Sequence, residues 1–273
     1  MADLRAALAH RVRRGAATAR DAVDLITRRG SHELRPPRRL LGGDYDYFER
    51  VGEEYLAHFV ELGGLKPDDR VLDVGCGPGR MAVPLMRHLS AAGSYEGFDI
   101  VPREVEWCWR TITPRRPSFR FQVARVRNSR YNPDGETPAS EYRFPFPDES
   151  FDFAFATSVL THLREPEAAN YLREIGRVLR PGGRCLVTFF LWNTEARRQV
   201  AAGASHYSFA FEDAHARYED AESPEAAVAY DESWVHDRFF ASGLGIEQLR
   251  YGQWCGREPA LTWQDVIVGG RPG

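Results

Sequence analysis

From Arg70 onward, short apolar runs alternate with stretches in which apolar residues recur at helical spacing. A short apolar run bounded by turn residues predicts a buried strand, and the helical spacing predicts an amphipathic helix. The predicted strands are 70–74, 95–99, 119–123, 151–156, 184–189, 245–251 and 263–268. The predicted helices are 45–62, 79–91, 102–112, 166–179 and 232–242. Alternation of strands with helices indicates a parallel sheet that is covered on both faces.

The pattern divides the chain into a helical N-terminal cover, residues 1–64, and an α/β domain, residues 65–273. Within the cover, a sparse apolar stripe among arginines predicts a surface helix over residues 2–29. Whether this helix covers a site, mediates a homodimer or contacts a lipid is left open. Within the domain, a polar, alanine-rich insertion at about 193–231 breaks the alternation.

Composition excludes several classes of protein. The chain has 39 acidic and 36 basic residues, so it lacks the positive field that is typical of nucleic-acid binders. No apolar run approaches the roughly 18 residues of a membrane span, and residues 1–14 lack the apolar region of a secretory signal. The four cysteines form no C-x-x-C pair, which argues against a disulfide scaffold or a zinc site. We therefore expect a soluble, cytoplasmic protein with no bound metal, no nucleic-acid partner and no membrane span.

The most informative segment is residues 71–80, which read V-L-D-V-G-C-G-P-G-R. An apolar strand leads into three alternating glycines and then into a helix, so the turn allows a ligand to approach the backbone closely. The amides of the helix N-terminus point into the same space. The dinucleotide pattern G-x-G-x-x-G does not fit because Arg80 stands where its third glycine belongs, and no G-K-[ST] follows.

This loop resembles motif I of the class I S-adenosylmethionine-dependent methyltransferases, small-molecule type, at positions Asp73, Gly75, Gly77 and Gly79. Further segments of that family's pattern follow in order. Residues 144–152 resemble motif IV, and residues 171–183 resemble the helix and the turn before the fifth strand. A structural turn without a ligand is the alternative. The resemblance implies a Rossmann-like three-layer sandwich with a seven-stranded, mostly parallel sheet and an antiparallel last strand.

The resemblance also implies that S-adenosylmethionine is the cofactor. Asp99, at the end of the second strand, would accept hydrogen bonds from both ribose hydroxyls. Many relatives carry an acidic residue for adenine after the third strand, but Arg125 stands there, which leaves Asn128 or backbone groups, or a weaker base pocket. The residues expected to bind the cofactor are Asp73, Gly75, Cys76, Gly77, Gly79, Arg80, Asp99, Ile100, Val126, Asn128 and Ser158.

His162 follows the fourth strand, at the edge of the sheet where ligands of such folds bind. Its ordinary pKa of about 6.5 suits removal of a proton at neutral pH. It resembles a histidine that some small-molecule O-methyltransferases use together with an acidic residue after the fifth strand. Here no carboxylate follows that strand before Glu195. The alternative is a histidine that only packs its loop.

The insertion is where this fold usually builds its substrate roof. The residues expected to contact the methyl acceptor are Trp192, His206, Tyr207 and His236. The aromatic side chains suit an apolar or ring-containing acceptor, although each of them could simply pack the insertion onto the sheet. No [DN]-P-P-[YF] follows the fourth strand, which argues against base amines as acceptors.

These features predict transfer of a methyl group to a hydroxyl of a small molecule, a specialised metabolite or its sugar. Two alternatives stay open. One is N- or C-methyl transfer to a small molecule. The other is a non-catalytic regulatory or partner module that keeps the methyltransferase fold.

Overall fold

The computed structural model describes residues 34–41 and 43–273. The surface helix predicted over 2–29 lies outside these residues, and the division of the chain at residue 64 stays a prediction. None of the helices within the described ranges is long and apolar enough to cross a membrane.

The secondary structure follows the predicted alternation. The helices are α1 (Tyr45–Glu61), α2 (Ala82–His88), α3 (Pro102–Thr111), α4 (Glu165–Val178), α5 (Thr194–Ala201) and α6 (Glu232–Ala241). The strands are β1 (Arg70–Val74), β2 (Ser94–Asp99), β3 (Phe119–Val123), β4 (Val126–Arg127), β5 (Thr137–Pro138), β6 (Phe151–Ala156), β7 (Leu179–Phe189), β8 (Leu191–Trp192), β9 (Phe211–Asp213), β10 (Ala216–Tyr218), β11 (Val228–Asp231), β12 (Gly245–Arg250) and β13 (Asp265–Gly270). Short 3-10 turns occur at Arg38–Leu40, Leu160–His162 and Pro224–Ala226.

Seven strands form the main sheet in the order β12-β13-β7-β6-β1-β2-β3. Neighbours pair in parallel except at β13, which runs antiparallel to both β7 and β12. The predicted fold class, with its antiparallel last strand, is therefore confirmed. The order of strands reverses at β1, between β6 and β2, and such a switch point opens a crevice at the carboxyl ends of the strands.

Both faces of the sheet are covered by helices, as the apolar runs predicted. Leu72 and Val74 of β1 belong to the cluster that contains the apolar faces of α4 and α6. Val71 belongs to the cluster that contains the apolar faces of α1, α2 and α3. A strand buried on both faces has no polar side to show to solvent, which explains its continuous apolar sequence.

Two predicted boundaries were wrong for reasons of local backbone geometry. Helix α2 begins at Ala82 rather than at residue 79, because Gly79 has φ +79°, which a right-handed helix cannot contain. Pro181-Gly182-Gly183 lies inside β7 and not before it. Phe151 pairs with Leu179 but Phe153 pairs with Arg184, so these residues form a bulge in β7.

The insertion is more ordered than its polar sequence suggested. It contains α5, which Asn193 caps by accepting a hydrogen bond from the Ala196 amide at 2.9 Å. It also contains β9, β10 and β11, which form a small sheet in the order β8-β11-β10-β9. Phe190, Phe209 and Trp254 belong to a separate hydrophobic cluster beneath it.

Gly176 provides a test of how α4 packs against the end of α6. Replacing glycine by alanine inside a helix usually stabilises a protein by about 1 kcal/mol. Here the added Cβ would lie 2.1 Å from the main-chain oxygen of Ser242, which cannot move without shifting the backbone. We expect Gly176→Ala to lower the free energy of unfolding by about 1–3 kcal/mol in urea denaturation, as overpacking does. An unchanged or higher stability would contradict this packing.

Candidate active site

The glycine loop after β1 takes a shape that only glycine adopts readily. Gly75, Gly77 and Gly79 have φ values of +83°, +49° and +79°. A side chain at Gly75 would also collide with Val159, since its Cβ would lie 2.4 Å from the valine Cγ2. At Gly77 the added Cβ would meet only the Glu104 carboxyl, at 3.5 Å, so this glycine leaves space for a ligand.

The Asp99 carboxylate is held by the main chain at the end of β2. The Gly77 N–H donates to one oxygen at 2.8 Å, and the Val101 N–H donates to the other at 2.9 Å. Burial raises the pKa of Asp99, and these backbone donors oppose that shift. The Ile100 amide also acts on this carboxylate. Because a carboxylate offers about four lone-pair sites, it can still accept a hydrogen bond from a neighbouring hydroxyl.

A cavity of about 470 Å³ lies at the carboxyl ends of the strands, between the glycine loop and the segment after β6. The structure brings together there most of the residues predicted to bind a cofactor. Those that line the cavity are Gly75, Arg80, Asp99, Ile100, Val126, Asn128 and Ser158. Cys76, Gly77 and Gly79 lie in the loop itself. This cavity is called the crevice below.

Asp73 does not line the crevice. Its carboxyl is 1% exposed and accepts a hydrogen bond from the Tyr95 hydroxyl at 2.6 Å. Burial is the main cause that raises the pKa of Asp73 to about 8. In this conformation the side chain supports the loop from behind, so a direct contact of Asp73 with a cofactor stays a prediction.

Arg125 points away from the crevice and pairs with Glu136 at 2.9 Å on the surface. The buried Asn128 uses its side-chain oxygen to accept hydrogen bonds from the amides of Arg130 and Tyr131. Its NH₂ group donates to the His162 carbonyl oxygen at 3.4 Å, which leaves one N–H for a ligand. An adenine would therefore find a single amide donor and main-chain groups rather than a carboxylate.

Sequence reasoning missed Glu104, which projects from the first turn of α3 into the crevice. Burial, followed by the charge of Asp99, raises the pKa of Glu104 to about 8. A protonated carboxyl can donate as well as accept a hydrogen bond. No motif marks Glu104. The only signal in the sequence is its position on the helix, next to Val105 and one turn before Cys108, which are both buried.

His162 lines the crevice at the end of a 3-10 turn. Its Nδ1 lies 3.0 Å from the main-chain oxygen of Glu225. Because a carbonyl can only accept, Nδ1 carries the proton in the neutral ring, and Nε2 has the free lone pair. Burial lowers the pKa of His162 below 6.5. The ring is therefore neutral at neutral pH, and a main-chain carbonyl of the insertion sets its tautomer.

The partner of His162 differs from the expected acidic residue after the fifth strand. It is a carbonyl of the 3-10 turn Pro224–Ala226, and the Glu225 carboxylate itself accepts hydrogen bonds from the Ser129 amide at 2.7 Å and hydroxyl at 2.5 Å. A main-chain carbonyl leaves no signal in the sequence. The histidine could therefore be found from the motif, but its partner could not.

A second cavity of about 570 Å³ adjoins the crevice. The two share Arg80, Thr157 and Ser158. The other walls of the second cavity come from α1 and from the segment 253–264 before β13. It is called the second chamber below.

A family model described as a methyltransferase domain matches residues 72–187, which contain the glycine loop, Asp99 and His162. This match spans less than half of the chain and supports the resemblance to the class I S-adenosylmethionine-dependent methyltransferases. The chain also resembles the PH0226 protein from Pyrococcus horikoshii OT3, with 16% identity over 85% of this chain and 93% of that one, at a TM-score of 0.54. It resembles the [4+2]-cyclase SpnF with 19% identity over 82% and 80% of the two chains, at a TM-score of 0.51. These two likenesses show the fold alone.

Curated relatives match part of the chain. An uncharacterised methyltransferase of Schizosaccharomyces pombe is 33% identical over 44% of this chain and 39% of its own length. A 27-O-demethylrifamycin SV methyltransferase of Amycolatopsis mediterranei is 30% identical over 46% of this chain and 40% of its own length. A sterol 24-C-methyltransferase of Gibberella zeae is 30% identical over 59% of this chain and 37% of its own length. The alignments thus span well under half of each of these three relatives.

The four residues predicted to contact an acceptor do not line either cavity. Trp192 is buried against Phe209 and lies under the Arg217 guanidinium. Tyr207 packs against Phe190 and Phe209. These aromatic side chains serve the core of the insertion, as the alternative interpretation allowed.

The two predicted histidines face solvent. His206 is exposed, and its ring meets the edge of Trp263 at 5.6 Å, so it approaches the rim of the second chamber. His236 is exposed on α6. Roles for both in acceptor binding stay predictions. The structure instead gathers Tyr131, Tyr171 and Leu40 around the crevice, none of which was predicted to contact a ligand.

Asp73 makes the stability of this protein depend on pH. Its pKa is about 8 in the fold against 3.8 for a free side chain, so unfolding between these values releases a proton. The free energy that protonated Asp73 contributes to stability is fully present below pH 3.8 and is lost as the pH rises towards 8. Asp73→Asn keeps an acceptor for Tyr95 but does not titrate. We expect its free energy of unfolding, relative to the wild type, to increase from about pH 5 to about pH 8 in urea denaturation. A constant or falling difference would show that Asp73 is ionised in the fold.

Proposed function

We propose that this methyltransferase transfers the methyl group of S-adenosylmethionine to a hydroxyl of a small molecule. The observation that carries the proposal is the position of a neutral histidine at the crevice that the glycine loop and Asp99 delimit. When bound, S-adenosylmethionine supplies a methyl group that is already electrophilic because it is attached to a sulfonium. The tasks left to the protein are alignment, exclusion of water and removal of a proton.

The crevice suits the nucleoside part of the cofactor. The Asp99 carboxylate can still accept a hydrogen bond from a ribose hydroxyl, and Ile100 lies beside it for an adenine face. The space at Gly77 allows close approach of the ligand to the backbone. A charge-assisted hydrogen bond to a carboxylate contributes about 1.5–3 kcal/mol, which makes Asp99 the main polar anchor in this proposal.

His162 is the proposed general base. The free lone pair of Nε2 can accept the proton of an acceptor hydroxyl, and the Nδ1–H bond to the Glu225 oxygen stabilises the imidazolium that forms. The T-shaped contact with Tyr131, at 5.6 Å between ring centroids, limits rotation of the imidazole. Since the pKa of His162 lies below 6.5, the base is available at neutral pH without prior deprotonation.

The names of the relatives favour a specialised metabolite as the acceptor. One of them, the 27-O-demethylrifamycin SV methyltransferase, is named for transfer to an oxygen. The aromatic and apolar walls next to the crevice agree with a ring-containing molecule of this kind. We therefore propose that the acceptor is a hydroxylated natural product or its sugar.

Transfer to carbon is the second candidate, because another relative is named a sterol 24-C-methyltransferase. In that case His162 would position the acceptor rather than deprotonate a hydroxyl. The two candidates differ in their dependence on pH. Transfer to a hydroxyl requires the neutral imidazole of His162, because only that form can take up the hydroxyl proton. A histidine that only positions the acceptor can be replaced by glutamine, whose side-chain amide makes a similar hydrogen bond.

His162→Gln tests the base directly. We expect kcat to fall by about 10²–10⁴-fold, the usual contribution of a general base, with a smaller change in KM. We also expect the acid limb of the wild-type profile to lie below pH 6.5 and to disappear in the variant. The measurement is formation of S-adenosylhomocysteine against pH, with an acceptor found by screening hydroxylated aromatic compounds and sugars.

His215→Gln is the matched control for this variant, because that ring is exposed beside Asp231 and lines neither cavity. Its kcat and its pH profile should equal those of the wild type. Retained turnover with an unchanged pH profile in His162→Gln would remove His162 as the base and would favour transfer to carbon.

A further inference from the structure

The second chamber opens from the crevice at the side where Ser158 and Arg80 lie. Its volume of about 570 Å³ falls in the range of small-molecule sites. Apart from Arg80, Met81, Thr157 and Ser158, its walls come from α1 and from residues 253–264, which carry no motif. The side chains that line this chamber therefore determine which ligand it can bind.

Aromatic side chains form much of the wall. Tyr47 and Tyr55 project from α1, and Trp263 projects from the segment before β13. Tyr47 remains 42% exposed and Trp263 41% exposed. Such partly exposed faces favour contact with a flat, ring-containing molecule, because ring stacking buries apolar area and adds a specific geometry.

Arg80 brings a positive charge to the wall of the chamber. The other cation there, Arg50, forms an ion pair with Glu54 at 3.6 Å. Arg80 forms no ion pair within residues 34–41 and 43–273, although its charge acts on the Glu104 carboxyl in the crevice. The Nε of Arg80 is buried and has no hydrogen-bond partner there. A buried donor without a partner is costly, so the position suits a ligand oxygen.

The guanidinium of Arg80 is held in place by aromatic contacts. It lies 5.1 Å from the ring centroid of Tyr47 and 5.9 Å from that of Phe48. Arg50 contacts the same Tyr47 ring at 5.6 Å. Because these contacts leave the N–H groups free, Arg80 can still form the paired hydrogen bonds that a guanidinium makes with a carboxylate.

Ser158 presents a second donor at the mouth of the chamber. Its hydroxyl oxygen accepts a hydrogen bond from the Gln264 NH₂ group at 3.0 Å, and the Gln264 oxygen accepts one from the Thr188 hydroxyl at 2.6 Å. The proton of Ser158 is therefore not used within this network. Ser158 also has φ +59°, a strained value that is found most often at functional sites.

We propose that the second chamber binds the methyl acceptor, and that it selects a planar, ring-containing acceptor carrying a carboxylate which Arg80 anchors. This inference rests on the proposed function, because an acceptor site has meaning only beside a bound cofactor. An anionic acceptor also balances the positive charges of Arg80 and of the sulfonium. Specificity arises because a neutral analogue offers Arg80, whose Nε is buried, no charged partner.

The test is calorimetric titration of the full chain, saturated with S-adenosylhomocysteine, with anthraquinone-2-carboxylate and with anthraquinone-2-carboxamide. The two probes share a shape and differ in charge. We expect the carboxylate to bind at least about tenfold more tightly, which corresponds to about 1.4 kcal/mol. Arg80→Met should abolish this preference, and Tyr47→Leu should weaken both probes.

Arg87→Met is the matched control, because Arg87 lies on α2, pairs with Glu53 and lines neither chamber nor crevice. It should keep the full preference for the carboxylate. Equal affinities of the two probes in the wild type, or no binding of either while S-adenosylhomocysteine binds, would overturn the inference and leave the proposed function standing. Failure of S-adenosylhomocysteine itself to bind would overturn both.

The carboxylate that Arg80 holds could instead belong to the amino-acid part of the cofactor. A comparison of S-adenosylhomocysteine with 5′-methylthioadenosine, which lacks that part, separates the two sources. One outcome is that Arg80→Met lowers the affinity for S-adenosylhomocysteine alone and leaves the preference for the anthraquinone carboxylate unchanged. In that case Arg80 binds the amino-acid part of the cofactor and the inference is wrong. Loss of the anthraquinone preference in the saturated protein supports it.

Discussion

The hydrogen bond from the Gly77 amide to the Asp99 carboxylate, at 2.8 Å, is the interaction on which the site depends. It joins the loop after β1 to the end of β2, two strands that are neighbours in the sheet. The bond forms only if the loop takes its left-handed turns, and those turns require glycine at three positions. One contact thus fixes both the shape of the loop and the direction of the acid.

The sheet and the crevice could be predicted from the sequence because they rest on local signals. The apolar runs mark the strands, and the glycines at 75, 77 and 79 mark a turn that few other residues tolerate. Asp99 could be found since it ends a buried strand. His162 was found from the motif that surrounds it, and the structure places it at the crevice.

The acceptor side could not be predicted, because it depends on contacts between distant segments. The Glu225 carbonyl that orients His162 lies 63 positions away and has no side-chain signal. Trp192 and Tyr207 looked like candidate acceptor contacts, but the insertion uses them in its own core. Tyr47 and Trp263, which do line a chamber, belong to a helix and a loop that carry no motif.

The crevice and the second chamber differ in what shapes them. Main-chain geometry shapes the crevice, so its chemistry is common to proteins with this loop. Side chains from α1 and the segment before β13 shape most of the second chamber, and no motif marks these segments. Arg80, Thr157 and Ser158 belong to both cavities, and under the proposed function the methyl group passes from one ligand to the other at this junction.

Calorimetric titration with S-adenosylhomocysteine, comparing the wild type with Asp99→Ala, tests the central claim most directly. Glu96→Gln is the control, because that carboxyl belongs to the same strand but lies outside both cavities. The account predicts saturable binding to the wild type and to Glu96→Gln, and an affinity at least about tenfold lower for Asp99→Ala. No heat of binding to the wild type, or equal affinity in Asp99→Ala, would contradict it.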